Sequence, residues 1–203
     1  MTLPALTRKE ALWLSCKKKS CCSNIIVTTG RDMWRIARAL DTPPWSFMVY
    51  FPSQAPSRDA FLLDHSGQPY RLALAKQTPR RPRKTLPPCI FLLRTGDGTH
   101  RCGLGQLRPL VCRAYPSEVQ GSMVYLRGTT TCTCRDWSLV DVDLDEERAL
   151  VEARQADARE YWALLERWNA QVLASVPGTR FTFGEFASFL LDHYDQIEAA
   201  TTA

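Results

Sequence analysis

The sequence lacks any long apolar run. No stretch approaches the roughly 18 or more apolar residues that a membrane-spanning helix needs. The N-terminal segment has no apolar core behind a basic start, so it predicts no secretion signal. We therefore expect a cytoplasmic protein with no membrane partner, in which thiols stay reduced.

The common catalytic motifs are also missing. The sequence contains no His-Glu-x-x-His motif, no phosphate-binding P-loop, no Gly-x-Ser-x-Gly motif and no dinucleotide-binding fingerprint. Only three histidines are present. His100 stands two residues before Cys102 and could supply a nitrogen ligand, but we favour a surface turn for it. No acid, base or nucleophile stands out, so enzyme activity is left open.

Apolar residues are not scarce. Of the 203 residues, 45% are hydrophobic and 23% charged, as in a globular domain that folds without disulfide staples. The formal charge of +5 counts every cysteine as neutral. If all cysteines bound two divalent ions as thiolates, the net charge would fall to about +1. The bulk charge therefore does not argue for a nucleic-acid partner.

One local run is basic and rich in proline. It comprises Lys76, Arg80, Arg81, Arg83 and Lys84. These side chains could contact phosphate, but no aromatic residue within the run could stack on a base. We favour a solvated loop over a nucleic-acid interface.

Cysteine, by contrast, is abundant. In a reducing compartment, clustered thiols hold metal more often than they form disulfides, and thiolates bind both zinc and iron. Buried unliganded cysteines are one alternative, and a disulfide framework, which requires an oxidising compartment, is another. Eight thiols could complete two tetrahedral sites, or one site with cysteines to spare. The eight are Cys16, Cys21, Cys22, Cys89, Cys102, Cys112, Cys132 and Cys134.

The pattern of apolar residues predicts an α+β fold. Residues 24–28 are of strand type, and Thr29 and Asp32 have the spacing of a capping box for a helix that ends before Pro43. Further strands are predicted at 61–63, 70–74, 89–93 and 123–126, and helices at 145–174 and 182–197.

The change of character near residue 143 predicts two domains. Residues 1–143 would form a small mixed core of short strands and loops that carries every cysteine. Residues 144–203 would form a helical hairpin that is packed on this core or appended to it. We expect the hairpin to be dispensable for metal binding.

Several segments, in order, resemble a known family. They are Cys16-x4-Cys21-Cys22, Val27-Thr28-Thr29, Asp32, Arg35-Ile36-Ala37, Cys89-Ile90-Phe91-Leu92, Cys102 and Arg108-Pro109-x2-Cys112-Arg113-x-Tyr115-Pro116. This pattern resembles the YkgJ-type cysteine-cluster family, also described as zinc- or iron-chelating or CxxCxxCC proteins. The resemblance spans residues 16–134 and implies metal binding, but no substrate. Three N-terminal cysteines stand where the family name implies four.

Basic residues near the cysteines have a predicted supporting role. Four thiolates around one divalent ion carry a net charge of about −2. Arg108, Arg113 and the lysines at 17–19 are placed in the sequence to offset that charge and keep the thiols ionised. For Arg113 we favour this role over a solvated one.

Two classes of function follow. In the first, thiolates bind one or two zinc or iron ions, for interaction with a protein partner or for metal storage and delivery. In the second, iron or an iron–sulfur cluster serves a redox enzyme that acts on a peptide or small molecule. The sequence lacks the tight cysteine run of bacterial ferredoxins, which favours zinc or individual ions.

Overall fold

The protein has an α+β fold. The computed structural model describes Lys9 and residues 20–54, 57–78, 86–96, 98–127 and 142–202. Cys16, Cys132 and Cys134 lie outside the described residues, as do the lysines at 17–19 and residues 80–84 of the basic run. Predictions for those residues therefore stay predictions.

The described elements are four α-helices and seven short strands. The helices are α1 (Gly30–Leu40), α2 (Leu110–Ala114), α3 (Leu144–Ala174) and α4 (Phe183–Thr202). The strands are β1 (Met48–Pro52), β2 (Ala60–Phe61), β3 (Tyr70–Leu74), β4 (Leu92–Arg94), β5 (His100–Cys102), β6 (Ser117–Gln120) and β7 (Met123–Leu126). Short 3-10 helices cover Ser20–Ser23, Pro44–Ser46 and Gly105–Leu107. All strand pairs are antiparallel, in sheets of order β1-β3-β2, β4-β5 and β6-β7.

The chain divides into two compact units, each built from two separate segments. Unit 1 contains Met1–Ile25 and Lys76–Arg154, and unit 2 contains Ile26–Ala75 and Gln155–Ala203. Helix α3 begins in unit 1 and continues into unit 2. The predicted division at residue 143 follows the character of the sequence, and it stays a prediction.

Aromatic packing forms the core of unit 2. Phe61 stacks on Phe186 with ring centroids 3.9 Å apart, and Trp168 meets Phe186 edge-on. The Trp168 indole Nε1 donates a hydrogen bond of 2.7 Å to the Leu62 carbonyl oxygen, so its buried polar group is satisfied. Asn169 accepts from the Leu62 amide at 2.8 Å and thereby ties helix α3 to the end of strand β2.

Helix α1 confirms the predicted capping signal. The Thr29 side chain accepts a hydrogen bond from the Asp32 amide, and the helix begins at the next residue, Gly30. Met33 and Ile36 are buried on the apolar face. The helix ends at Leu40, before Pro43, as predicted.

The predicted C-terminal helices are also present. Helix α3 covers Leu144–Ala174, and α4 covers Phe183–Thr202, somewhat longer than predicted. Helix α3 buries Leu150, Tyr161, Leu165 and Trp168, whereas Ala153 is exposed.

The strand predictions met mixed results. The strands at 70–74 and 123–126 are confirmed, and the strand predicted at 61–63 is shorter and begins one residue earlier, at Ala60. The strand predicted at 89–93 begins only at Leu92, because a turn at residues 90 and 91 follows Cys89. Strand β1, which pairs with β3 along its whole length, was not predicted. None of the described helices is long and apolar enough to cross a membrane.

Candidate metal centre

The adjacent Cys21 and Cys22 lie on the 3-10 helix Ser20–Ser23 of unit 1. The Asn24 amide donates to the Cys21 carbonyl oxygen at 3.2 Å and closes this turn. The Cys22 carbonyl oxygen accepts a hydrogen bond of 2.7 Å from the amide of Cys89. A backbone contact therefore joins two cysteines that are far apart in the sequence.

Cys89 is held in place from a second side. It forms an isolated antiparallel bridge with Lys76, and its side chain is buried, with 4% of the residue exposed. The Gln77 side-chain amide donates to the carbonyl oxygens of Leu92, at 2.7 Å, and Cys89, at 3.3 Å. These bonds fix the turn that leads from Cys89 into strand β4.

The β4–β5 hairpin brings Cys102 back beside this turn. Cys102 pairs directly with Leu92, whose amide donates to the Cys89 carbonyl oxygen at 3.0 Å. At the next residue, Gly103, a Cβ atom would lie 3.3 Å from the Phe91 carbonyl oxygen and 3.2 Å from Leu93 Cδ1. The close approach of these backbones thus explains the glycine after Cys102.

Cys112 lies on the short helix α2. Pro109 occupies the N-cap position of this helix, and its fixed φ suits the entry into the helix. The Pro109 carbonyl oxygen accepts from the amides of Cys112, at 2.9 Å, and Arg113, at 3.0 Å. The Arg-Pro-x-x-Cys-Arg segment therefore sets Cys112 on the first turn of a helix.

Electrostatic interactions link the sulfurs of these segments. The pKa of Cys22 is raised, first by a hydrogen bond with the Cys21 thiol, then by burial, and further by the charges of Cys21, Cys112 and Cys102. Burial raises the pKa of Cys89, and the charge of Cys102 adds to this effect. None of the five forms a disulfide, and all belong to unit 1. We call Cys21, Cys22, Cys89, Cys102 and Cys112 the thiol cluster.

Lys76 lies beside the thiol cluster, although the sequence analysis grouped it with the solvated basic run. Its Nζ donates to the carbonyl oxygens of Cys22, at 3.1 Å, and Asn24. Burial lowers its pKa, and the charges of Cys89, Cys22 and Cys112 act in the opposite direction. The signal that could have identified Lys76 is its position two residues after the strand predicted at 70–74, apart from the arginines that follow.

The two arginines predicted to support the thiolates have other described contacts. Arg108 Nε donates to the Gly105 carbonyl oxygen at 3.0 Å, across the turn before α2. The charge of Arg113 acts on Lys9, whose Nζ lies 2.6 Å from Glu147 Oε2 in a buried ion pair. Their support of the thiolates stays a prediction.

His100 lies in strand β5, not in the surface turn that we favoured. Its Nδ1 atom is buried and has no hydrogen-bond partner among the described residues. Because His100 and Cys102 are two residues apart on one strand, they share a face of the hairpin.

The donor set of the cluster fits a metal that prefers sulfur. Reduced, partly buried thiols from four chain segments are typical ligands of zinc and of thiolate-bound iron. Within the described ranges, no group of three or more His, Cys, Asp or Glu side chains is arranged to hold a metal ion.

We compared the chain with protein families, with curated proteins and with solved structures. None of these three comparisons finds a match.

Proposed function

We propose that this protein binds zinc or iron through its clustered cysteine thiolates. One observation supports the proposal above all: the thiol of Cys22 interacts electrostatically with those of Cys21, Cys102 and Cys112 within a single compact unit. Three chain segments must converge for this to happen. The resemblance of residues 16–134 to the YkgJ-type family supports the same proposal, and the reducing cytoplasm would keep the thiols available.

The raised pKa values give a physical reason for a bound cation. A buried cluster of thiolates is unfavourable, because each negative charge is desolvated and repels the others. Protons relieve the repulsion in the metal-free protein, and a divalent ion would do so more effectively while forming metal–sulfur bonds. A metal ion that bound to these thiols would therefore take the place of their protons.

Zinc and iron would give different biochemical roles. A zinc ion closed off by four thiolates would stabilise unit 1 and serve a protein partner or metal delivery. Iron would make a redox enzyme acting on a peptide or small molecule the competing candidate. The thiols come from separate segments, unlike the tight ligand run of bacterial ferredoxins, so we favour zinc or individual ions.

Metal analysis of the purified protein tests the proposal. We expect about one or two metal ions per chain after anaerobic purification. A zinc-bound sample should be colourless, whereas an iron–sulfur cluster should absorb at about 400 nm. Cys22→Ser and Cys112→Ser should each lower the metal content, because a hydroxyl is a much poorer ligand for these metals.

Val111→Ala is the matched control for Cys112→Ser, because it changes the neighbouring residue of helix α2 and leaves every thiol in place. His193→Ala, in unit 2, is a second control. Equal metal content in the two serine variants, both controls and the wild type would remove these cysteines from the site.

A further inference from the structure

Lys76 contacts two cysteine-bearing segments of the thiol cluster at once. Its backbone pairs with Cys89 in the antiparallel bridge, and its Nζ donates to the Cys22 carbonyl oxygen at 3.1 Å. The same carbonyl oxygen accepts the Cys89 amide at 2.7 Å. The side chain therefore closes a ring of contacts that runs from Lys76 through Cys89 and Cys22 back to Lys76.

The half-buried ammonium group of Lys76 is energetically unfavourable unless protein acceptors replace its hydrogen bonds with water. Two of its three donors are satisfied by carbonyl oxygens, those of Cys22 and Asn24. Its positive charge acts on Cys89, Cys22 and Cys112. A positive charge beside several cysteine thiols is more favourable when those thiols are ionised. Metal-bound cysteines are in this ionised state.

We propose that Lys76 is a positioning residue of the metal centre, which fixes Cys22 relative to Cys89 and offsets part of the negative charge of the bound thiolates. This inference rests on the proposed metal binding. It assigns to Lys76 the kind of supporting role that the sequence predicted for Arg108, Arg113 and the lysines at 17–19. Lys76 itself is not a ligand, because an ammonium group has no lone pair to donate.

Metal affinity of full-length variants tests this role. We would measure zinc affinity by competition with a chromophoric chelator, for the wild type, K76M, K76Q and K76R. Removing an outer partner of a metal ligand commonly weakens binding about 10–100-fold, and we expect that range for K76M. K76Q keeps a donor without the charge and should be intermediate, whereas K76R keeps both and should approach the wild type.

The matched control is R101Q. Arg101 immediately precedes Cys102 and is exposed, so this variant removes the same charge close to a cysteine of the cluster. R101Q should bind zinc as the wild type does. With cobalt(II) as the spectroscopic probe, K76Q should show the same sulfur-to-metal absorption as the wild type at saturation, since every thiol is retained.

The outcomes separate this inference from the proposed function. Wild-type affinity in K76M and K76Q would overturn the role of Lys76 and leave metal binding intact. Equally weakened zinc binding in R101Q would also overturn it, since a general effect of charge would then explain the result. Zinc affinity in K76R as low as in K76M would overturn it too, since misfolding would then explain the loss. If K76M does not fold, the comparison of K76Q with K76R decides. A wild-type protein that binds neither zinc nor cobalt would overturn the proposed function, and this inference with it.

Discussion

At the scale of single residues, Gly30 shows how closely unit 2 is packed. A Cβ atom at this position would lie 3.0 Å from Tyr194 Cε2 and 3.2 Å from both Leu190 Cδ atoms. These neighbours are themselves fully buried, so they have little room to move. The first residue of helix α1 is therefore glycine because helix α4 lies against it.

We predict that Gly30→Ala lowers the free energy of unfolding by about 1–3 kcal/mol, as overpacking commonly does. Gly184→Ala is the control, because it is also near a helix start but its Cβ would meet only Thr182 Oγ1, at 3.7 Å. Urea unfolding of both variants measures the difference. Equal stability of the two would contradict the packing argument.

The thiol pKa values predict opposite effects of pH on metal affinity and on the metal-free fold. Because the pKa values of Cys22 and Cys89 are raised, these thiols hold their protons at neutral pH, and metal must displace them. Zinc affinity should therefore increase with pH. Calorimetric titration in two buffers of different ionisation enthalpy would measure the protons released, and release of none would contradict this prediction.

The metal-free protein should respond in the other direction. A thiol whose pKa is higher in the folded state than in the unfolded state stabilises the fold while both states are protonated. That contribution is lost as pH rises above the unfolded value of about 8.5. Thermal unfolding of chelator-treated protein between neutral and alkaline pH should show the loss, and constant stability across this range would speak against it.

At the scale of elements, helix α4 begins with a complete capping box. The amide and hydroxyl of Thr182 donate to Glu185 Oε2 at 2.7 and 2.8 Å, and the Glu185 amide donates to Thr182 Oγ1 at 3.2 Å. We predict that Thr182→Ala lowers the free energy of unfolding by about 0.5–2 kcal/mol. Thr182→Ser should retain most of the stabilisation by the cap, because serine also has a hydroxyl group. Denaturant titration tests this, and equal loss in both variants would refute the capping role.

At the scale of the whole molecule, helix α3 belongs to both units. Its first turns contribute Glu147, which accepts from Lys9 and Ser117, and Val151, which packs with Ala114. Cutting the chain at residue 143 would remove these contacts from the unit that holds the thiol cluster. The expected dispensability of residues 144–203 is therefore better tested by substitution than by truncation.

We predict that Val151→Ala, at a fully buried position, destabilises the full chain by about 1–3 kcal/mol. Leu173→Ala is the control on the same helix, because Leu173 is 59% exposed and should tolerate the change. Thermal unfolding in the metal-free state compares them. If both variants unfold like the wild type, the start of α3 does not stabilise unit 1.

Much of the local structure was predictable because its causes are local. Thr29 and Asp32 mark the start of α1 through a cap that spans four residues, and helix α3 has an uninterrupted run of helix-forming residues. Strand β1 was not predicted, because it is stabilised by pairing with β3, which lies far from it in the sequence. The number of cysteines also led to the prediction of a metal site, which stays a prediction.

The sequence by itself determined where helices α1, α3 and α4 begin and which residues supply thiols, because both depend on residue type and short spacing. Only the tertiary structure decided which cysteine-bearing segments lie together. The contact of Cys22 with Cys89 and the placement of Lys76 beside them arise from backbone hydrogen bonds between distant segments. Every residue offers the same backbone donors and acceptors, so residue identity does not specify such pairing, and only the fold selects it.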